Sequence, residues 1–438
     1  MRRVFSFLLA AVMLLSLCAC HVDDNTTTAP SNTNANTNTT APSGTTDPPV
    51  NVDITVKTDG WSNMESLDAS KGCLAFGGYY HCAQMGSHIL AFTDISNGTT
   101  VVLCSKPGCK HHEETSQTKQ AQCDAYLGSA VFLLYAYGDK IYYNSDDDGY
   151  GGVDLYSRNA DGTGKHKFAD LGAEYVTPSS KISIAYYLQA GNKLYYKIDV
   201  EGSVRGEGDV VEIQTVKQVL MCLNLDTGKE ILIGEFTEEH PHMIAAREDQ
   251  LLFYTVAKAE LADMYDPDGN VNVDKMNAVP VCLKVWDENA KQIDVVFEKT
   301  AKECSGDGFV IGSKYYYKGS ALDEEGQEFS SWFAYDLATE AVEISELTTC
   351  PLDGRFLLYE SSVYDAQEKV SLPNDFSSQG LRALDQSDEG FILEKVYWKE
   401  NTGSWKEADY IVYAYVTYDA LADGLQSADC LDFLTLDR

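Results

Sequence analysis

The sequence has little positive charge for its length, and it has no long apolar run. Lysine and arginine total 33 residues against 67 aspartates and glutamates, so the formal net charge is −34. A surface this acidic repels phosphate backbones, which argues against a nucleic-acid partner. The apolar stretch from Val4 to Leu17 has 14 residues, whereas crossing a bilayer takes about 20, and no later uncharged stretch approaches that length. The sequence therefore predicts no membrane-spanning helix.

The short motifs of common catalytic machineries are also missing. The sequence has no G-x-S-x-G nucleophile elbow, no H-E-x-x-H metal motif and no glycine-rich phosphate loop. Its 67 acidic residues are too numerous for spacing alone to single out an acid–base pair. We therefore expect a protein that is not an enzyme.

The N-terminus carries the pattern of a lipoprotein signal peptide. Two arginines precede the apolar stretch, and a Leu-Cys-Ala-Cys sequence closes it at Cys20. The small residue Ala19 precedes Cys20, whereas the bulky Leu17 precedes Cys18, so we expect cleavage after residue 19 and acylation of Cys20. An ordinary cleaved signal peptide is the alternative. Acylation places the mature protein on the extracytoplasmic face of a bacterial cell membrane, held by its lipid anchor.

The chain after Cys20 divides into a tether and a folded domain. Residues 20–50 are rich in Thr, Asn, Ser and Pro and have almost no large apolar side chain, which predicts a disordered tether spanning roughly 30 Å. Residues 51–438 are long enough for one large repetitive domain. We therefore expect a signal peptide at 1–19, a lipidated tether at 20–50 and a folded domain at 51–438.

A recurring sequence in the folded part predicts a repeat architecture. Gly138-Asp-Lys-Ile-Tyr-Tyr143 returns as Gly191-Asn-Lys-Leu-Tyr-Tyr196 and as Gly312-Ser-Lys-Tyr-Tyr-Tyr317. Degenerate copies end at Tyr80, Tyr254 and Tyr359, and successive copies are 42 to 63 residues apart. A period in this range is typical of repeat proteins.

Each copy is followed by further strand–turn–strand patterns with no helical period. The turns are built on Asp, Asn or Gly, as at Ser96-Asn-Gly98 and Asp226-Thr-Gly228, and these residues tolerate the backbone of tight hairpins. Three or four short antiparallel strands per unit of about 50 residues are typical of a propeller blade. We therefore predict an all-β fold, a β-propeller of six to eight blades with seven preferred. Two packed β-sandwiches are the alternative.

These motifs resemble those of lipid-anchored propellers from Gram-positive-type bacteria. The pattern G-[DN]-K-[IL]-Y-Y, at 138–143 and 191–196, is followed at 155–162 by L-Y-x-x-x-x-D-G. The chain is similar to the propeller family named after the low-density-lipoprotein-receptor-related propeller, and more loosely to Tol-system propellers. The resemblance covers about 70 to 437 and implies the fold, whereas such motifs say little about function.

One segment, at about 104–126, departs from the blade pattern. It contains Cys104, Cys109, His111 and Cys123, in a C-x-K-P-x-C-x-H sequence followed by C-x-A-Y, and it looks like an insert of the same lipoprotein group. The Pro-Gly pair supplies a tight turn that would let the first two thiols converge. Three thiols and one imidazole satisfy tetrahedral zinc, although four residues rather than two separate the first cysteine pair.

Zinc is not the preferred interpretation of this cluster. Because thiols outside the cell are not kept reduced, we expect a disulfide within Cys104, Cys109 and Cys123, with a metal site and free buried thiols as alternatives. Calcium is a second candidate ion, at the acidic turns 146–149 and 266–270, but neither continues into an EF-hand loop. Solvated turns explain both better, so no cofactor is expected.

The preferred function is that of a cell-surface, non-catalytic binding or scaffolding propeller. Its expected partner is an extracellular protein, peptide or glycan, besides the membrane that holds its anchor. Two alternatives stay open at this point. One is a polysaccharide hydrolase or lyase, which requires carboxylates or histidines to converge at the central channel. The other is an envelope sensor or assembly lipoprotein in which the cysteine insert is the distinctive part.

Overall fold

The computed structural model of the chain describes most of the folded domain. The described residues are 60–64, 72–82, 88–111, 117–128, 131, 133–145, 154–177, 180–205, 211–258, 271–347, 350, 355–358, 362–365, 367–373, 376, 380–387, 389–398, 408–425 and 431–435. The predicted signal peptide, Cys20, the tether and the acidic turns 146–149 and 266–270 lie outside them. Among the described helices, none combines the length and the apolar character needed to cross a bilayer.

The described strands form seven antiparallel sheets, which follow one another along the chain as the blades of a propeller. Blade 1 contains β2 (Cys73–Ala75), β3 (Gly78–Cys82), β4 (Leu90–Asp94) and β5 (Thr100–Val102). Blade 2 contains β6 (Leu134–Tyr137), β7 (Lys140–Ser145), β8 (Asp154–Asn159) and β9 (His166–Asp170). Blade 3 contains β10 (Ser180–Ala190), β11 (Lys193–Arg205), β12 (Val211–Asn224) and β13 (Lys229–Phe236).

The remaining blades repeat this plan with small variations. Blade 4 contains β14 (Glu239–Ala246), β15 (Gln250–Ala257), β16 (Pro280–Asp287) and β17 (Gln292–Thr300), and β1 (Ser62–Asn63) joins it as a fifth strand. Blade 5 contains β18 (Gly308–Ile311), β19 (Lys314–Leu322), β20 (Glu328–Asp336) and β21 (Val342–Ile344). Blade 6 has three described strands, β22 (Phe356–Leu358), β23 (Ser362–Asp365) and β24 (Val370–Pro373). Blade 7 contains β25 (Leu381–Gln386), β26 (Gly390–Trp398), β27 (Ala408–Thr417) and β28 (Leu431–Thr435).

Helical structure in the described residues is confined to connections. The short helices are α1 (Gln117–Gln120), α2 (Val273–Asn277) and α3 (Tyr418–Ala422), with one 3₁₀ turn at Ala173–Tyr175. The prediction of an all-β propeller with seven blades is confirmed.

The recurring sequence forms the turn into the second strand of a blade. The copies at 138–143, 191–196 and 312–317 lie at the starts of β7, β11 and β19. Their glycines have φ of 63°, 56° and 56°, a left-handed conformation that glycine adopts at little cost. The final tyrosine of each copy is buried between blades, so its role is packing. The degenerate copy at 354–359 differs, because Phe356–Leu358 forms β22, the first described strand of its sheet.

The first strands of neighbouring blades contact one another and so surround the centre of the ring. These contacts join β2 with β6, β10 with β14, β14 with β18, and β2 with β25. Strand β1 pairs with the inner edge of blade 4, where Ser62 and Asn63 lie opposite Ala246 and Ala245. The Asn63 side chain also donates to the carbonyl of Val310 in β18, at 2.8 Å. The segment around β1 therefore occupies the centre at one end of β14.

Side-chain packing closes the ring between blades 7 and 1. Tyr79 of β3 packs on Tyr413 of β27, with ring centroids 5.4 Å apart, in a cluster that includes Leu384 and Ile392. The backbone N–H of Leu74 donates to the Asp385 carboxylate at 2.6 Å. Apart from β1, the described strands of each blade are consecutive in the chain. No blade therefore combines described strands from the two ends of the chain, and side-chain packing joins blades 7 and 1 instead.

Candidate metal centre

The insert predicted at 104–126 lies between the last strand of blade 1 and the first strand of blade 2. Its C-terminal part runs beside the start of β4, where the N–H of Leu90 donates to the Ala125 carbonyl at 2.9 Å and the N–H of Leu127 donates to the His88 carbonyl at 2.9 Å. An isolated bridge joins Ile89 and Tyr126 between them. Blade 1 therefore fixes the insert through its backbone.

A tight turn positions the first two cysteines. The N–H of Cys109 donates to the Lys106 carbonyl at 3.3 Å, and Gly108 has φ of 73°. Proline is common at the second position of a type II turn, and glycine suits the positive φ of its third position. His111 follows two residues later with φ of 51°. The expected convergence of the two thiols at the Pro-Gly turn is confirmed.

The third cysteine comes from the other side of the insert. Cys123 follows α1, and its N–H donates to the Gln120 carbonyl at 2.8 Å. Two side-chain contacts join the halves of the insert: the Ser105 hydroxyl donates to Asp124 at 3.2 Å, and the Lys106 ammonium donates to the Gln122 carbonyl at 2.9 Å. These contacts hold the Cys123 segment against the Pro-Gly turn.

The structure brings all four predicted ligand atoms together. The sulfur atoms of Cys104, Cys109 and Cys123 and a ring nitrogen of His111 lie within 4.8 Å of one another. The Cys123 sulfur is 3.5 Å from His111 Nδ1. In a tetrahedral zinc site, bonds of about 2.3 Å to sulfur and about 2.1 Å to nitrogen place these atoms about 3.6 Å apart. The cluster thus has the number and type of ligands that structural zinc uses, gathered within 4.8 Å of one another.

A buried arginine from blade 2 holds the Cys123 segment from behind. Arg158 of β8 is 1% exposed. Its guanidinium donates to the carbonyls of Asp124 and Tyr126, on either side of Ala125, and to the hydroxyl of Tyr143 at 3.1 Å. No ion pair of Arg158 with a carboxylate occurs among the described residues. The guanidinium of Arg158 therefore donates mainly to backbone carbonyls next to Cys123.

The thiols of the cluster do not lose their protons equally. Burial raises the pKa of Cys123 to about 12. Burial acts in the same direction on Cys104, but hydrogen bonds from the backbone N–H groups of Lys106 and Asp124 outweigh it and lower the pKa of that thiol below 9.0. Because the thiolate is the form that binds metal, Cys104 is the thiol best prepared to become a ligand.

A cavity of about 570 Å³ opens beside the cluster. Its lining includes Cys104, Cys123, Arg158 and Lys165. The Lys165 ammonium lies over the Tyr156 ring, 4.8 Å from its centroid. Two cysteines of the cluster thus line a cavity whose wall carries both signs of charge, since Asp124 and Asp161 also line it.

The other predicted features of the insert have mixed outcomes. Cys104, Cys109 and Cys123 are present as thiols, and the predicted disulfide among them stays a prediction. Residues 112–114, next to His111, lie outside the described residues. Arg158 was not identified from the sequence, because its partners lie 32 and 34 residues earlier and an arginine in a strand has no distinguishing local pattern.

No family model and no curated protein sequence matches the chain. Solved propeller structures are similar to it in fold. TolB from Acinetobacter baumannii is 12% identical with a TM-score of 0.31, covering 79% of this chain and 75% of that chain. The β-propeller domain of the Trilobed protease from Pyrococcus furiosus is 11% identical with a TM-score of 0.35, covering 66% of this chain and 90% of that chain. An oligogalacturonate lyase from Vibrio parahaemolyticus is 11% identical with a TM-score of 0.30, covering 78% of this chain and 89% of that chain.

These similarities concern architecture alone. At identities of 11 or 12% and TM-scores of 0.35 or less, none of the three says what this chain binds or catalyses. The architecture itself follows from the order and pairing of the described strands, which form a seven-bladed, all-β propeller.

Proposed function

We propose that this protein is a lipid-anchored, non-catalytic binding propeller on the extracytoplasmic face of a bacterial membrane, with an insert organised by a structural zinc ion. The ligands of the ion are Cys104, Cys109, His111 and Cys123. The observation that carries the zinc site is the approach of three sulfur atoms and one imidazole nitrogen to within 4.8 Å of one another. A closed set of four protein ligands is typical of structural zinc.

Zinc accounts for more of the insert than a disulfide does. A disulfide joins two sulfur atoms at about 2.05 Å and leaves the third thiol and the imidazole without a role. Zinc uses all four groups at spacings close to those observed. It also explains the position of Arg158, because a site with three thiolates carries a net negative charge, and a buried cation nearby stabilises it.

Metal content tests the zinc site directly. The full chain, purified from membranes without a histidine tag, is expected to contain one zinc per molecule by elemental analysis. Cys123→Ser should lose the zinc, whereas Cys282→Ser should keep it, because Cys282 is a half-buried cysteine of β16 outside the cluster. An intact disulfide within the cluster by mass spectrometry, in protein with less than stoichiometric zinc, would overturn the site.

The lipid anchor is supported by the sequence at Cys20. Labelling of growing cells with a fatty-acid analogue is expected to mark the full chain and its Cys18→Ala variant but not Cys20→Ala. Labelling that persists in Cys20→Ala and disappears in Cys18→Ala would move the anchor to Cys18. An unlabelled, secreted protein would replace the anchor by an ordinary signal peptide.

The binding role is supported by the rigid ring of blades and by the absence of catalytic motifs from the sequence. The expected ligand is an extracellular protein, peptide or glycan. A glycan array and a pull-down from the culture medium with the full chain test this role. Turnover of a polysaccharide by the purified protein would overturn the non-catalytic part of the proposal.

A further inference from the structure

A second group of polar side chains borders the centre of the ring, on blades 3 and 4. We call Tyr186, Lys197, Asp199, His240 and His242 the inner-strand cluster. Tyr186 lies on β10 and the two histidines lie on β14, which are the first strands of these blades and contact each other. Lys197 lies directly opposite Tyr186, on β11. The cluster therefore lies where a propeller presents side chains toward its central channel.

The ammonium of Lys197 is buried with a single, long contact to a carboxylate. Lys197 is 5% exposed, and its Nζ forms an ion pair with Oδ1 of Asp199 at 3.7 Å, a separation too long for a good hydrogen bond. That oxygen already accepts from the side chain of Gln218 at 2.6 Å. The Tyr186 ring lies against the ammonium, 4.8 Å away at its centroid. An ammonium has three N–H donors, and one long ion pair leaves most of this donor capacity for an acceptor from outside.

His242 is the second incomplete group. Its ring stacks on Tyr254 at 4.7 Å, and neither ring nitrogen has a hydrogen bond among the described residues. The Tyr254 hydroxyl donates to Asp307 at 2.8 Å, which fixes the stacking partner from blade 5. Burial, with a contribution from Lys197, lowers the pKa of His242 to about 4. At neutral pH the ring is therefore uncharged and offers one N–H donor.

His240, by contrast, is held by a chain of hydrogen bonds. Its Nδ1 lies 3.1 Å from the side-chain oxygen of Gln218, whose amide nitrogen donates to Asp199. Since an amide oxygen only accepts, the Nδ1 of His240 carries the proton in this contact. In the neutral ring the Nε2 is then an acceptor. The cluster thus presents two donors, one acceptor and the ring of Tyr186, which is 44% exposed.

We propose that the inner-strand cluster binds the carboxylate of an acidic sugar in an extracellular glycan. Lys197 and His242 donate to the carboxylate, and Nε2 of His240 accepts from a sugar hydroxyl. The exposed ring of Tyr186 packs against the apolar face of the pyranose. An acidic sugar is favoured because it carries an apolar ring face and a carboxylate on one residue, matching an aromatic ring and an ammonium side by side. This inference rests on the proposed binding role and names its ligand class.

The position of β1 is consistent with this site. Ser62 and Asn63 pair with the last residues of β14, whereas His240 is its second residue. Ala246 comes six positions after His240 in this strand, which corresponds to about 20 Å. The segment that follows the predicted tether therefore occupies the other end of β14 from the cluster.

Calorimetric titration of the full chain in detergent tests the site. The probe is a tetramer of β-1,4-linked glucuronic acid, and the matched control is cellotetraose, which differs by the absence of the carboxylates. The acidic tetramer is expected to bind and cellotetraose is not. No binding of the acidic tetramer, or equal binding of both, would overturn the proposal.

Substitutions locate the binding within the molecule. Lys197→Met and His242→Gln should each weaken binding of the acidic tetramer about tenfold or more, since each removes a donor to a charged group. Lys193→Met is the control, because Lys193 is a buried lysine of the same strand whose ammonium is already bonded to Glu288 at 2.9 Å. Thermal unfolding establishes that each variant is folded. Unchanged affinity in folded Lys197→Met would refute the site.

The remaining outcomes separate this inference from the binding role on which it rests. A glycan or protein ligand whose affinity is unaffected by Lys197→Met keeps the binding role and overturns the cluster as its site. A peptide that binds through its free C-terminal carboxylate, when the acidic tetramer does not bind, overturns the sugar. If the protein cleaves the acidic tetramer and Lys197→Met abolishes this cleavage, the result supports the site and overturns the non-catalytic role.

Discussion

The cysteine insert and the inner-strand cluster are both polar constellations, but they differ in how completely the protein satisfies them. In the insert, four metal-binding atoms approach one another, and Arg158 is bonded to the carbonyls beside Cys123. In the inner-strand cluster, Lys197 has one long ion pair, with Asp199 at 3.7 Å, and the ring nitrogens of His242 have no hydrogen bond among the described residues. The first arrangement is typical of a closed structural site, and the second is typical of a ligand site.

This difference predicts opposite responses to substitution. Groups that the protein satisfies internally stabilise it, so their removal should lower the free energy of unfolding. Buried polar groups whose hydrogen bonds are completed only by a ligand lower the stability of the unbound protein. Their removal should therefore leave the unbound protein as stable as before or more stable. The following predictions compare the two regions, beginning with the largest expected effect.

Removal of the metal should have the largest effect on the insert. A chelator is expected to lower the unfolding midpoint by about 5–10 °C, because an ion that binds only the folded state stabilises it by mass action. The same treatment should make residues 104–126 the first site of proteolysis. Differential scanning calorimetry and limited proteolysis measure both. A midpoint unaffected by the chelator in zinc-containing protein would contradict a structural role for the ion.

Arg158→Met should lower the free energy of unfolding by about 3 kcal/mol, because the buried carbonyls of Asp124 and Tyr126 lose their donor. It should also weaken zinc retention about tenfold in competition with a chelator, since Arg158 positions the segment that carries Cys123. Arg247→Met is the control, an arginine bonded to Asp249 at 3.1 Å and partly open to solvent. Equal zinc retention in the Arg158 variant and the wild type would leave Arg158 a purely structural role.

Acidification should weaken the inner-strand cluster through His242. The ring lies near Lys197, Asp199, His240 and Asp307, and burial lowers its pKa to about 4. Since an unfolded histidine titrates near 6.5, the unfolded chain takes up the proton first as the pH falls. The stabilisation is therefore complete above about pH 6.5 and is lost between about 6.5 and 4. Denaturant titrations should show a shallower decline in this window for His242→Gln, and parallel declines would contradict the assignment.

Lys197→Met should have the smallest effect on stability and the opposite sign. Replacing a buried ammonium whose ion pair with Asp199 is long by an apolar chain of similar length is expected to change the free energy of unfolding by about 0 to +1 kcal/mol. Lys193→Met should instead destabilise, because it leaves the Glu288 carboxylate without its partner. Denaturant unfolding of both variants decides the point. A loss of stability in Lys197→Met as large as in Lys193→Met would show that the protein already satisfies the ammonium of Lys197, and it would contradict its role in a ligand site.

The elements that were predicted correctly are those whose determinants are close in sequence. The copies at 138–143, 191–196 and 312–317 predicted a turn and a strand, because a glycine with positive φ and the alternation of the next residues suffice for both. The insert is also local, since Cys104 and Cys123 are 19 residues apart and a Pro-Gly turn joins the first pair. The copy at 354–359 contains β22, which is the first described strand of its sheet, so similar composition does not by itself distinguish the strands of a blade.

The inner-strand cluster was not predicted for the complementary reason. Lys197 and His242 are 45 residues apart and belong to different blades. Histidine, lysine and tyrosine in strands have no spacing rule that joins them, because their approach depends on how two sheets pack. The sequence Glu239-His-Pro-His242, at the start of an inner strand, is the local signal from which the histidines of this site were identifiable.

The sequence by itself determined the class of this protein: a repetitive, acidic, all-β chain with a cysteine insert and a predicted lipid anchor. It did so because hairpins, turns and signal peptides are specified by neighbouring residues. The tertiary structure decided that β1 pairs with blade 4, that Arg158 supports the Cys123 segment and that Lys197 lies near two histidines. These outcomes depend on which faces of the twisted blades pack together, and that packing is set by contacts between residues far apart in the chain.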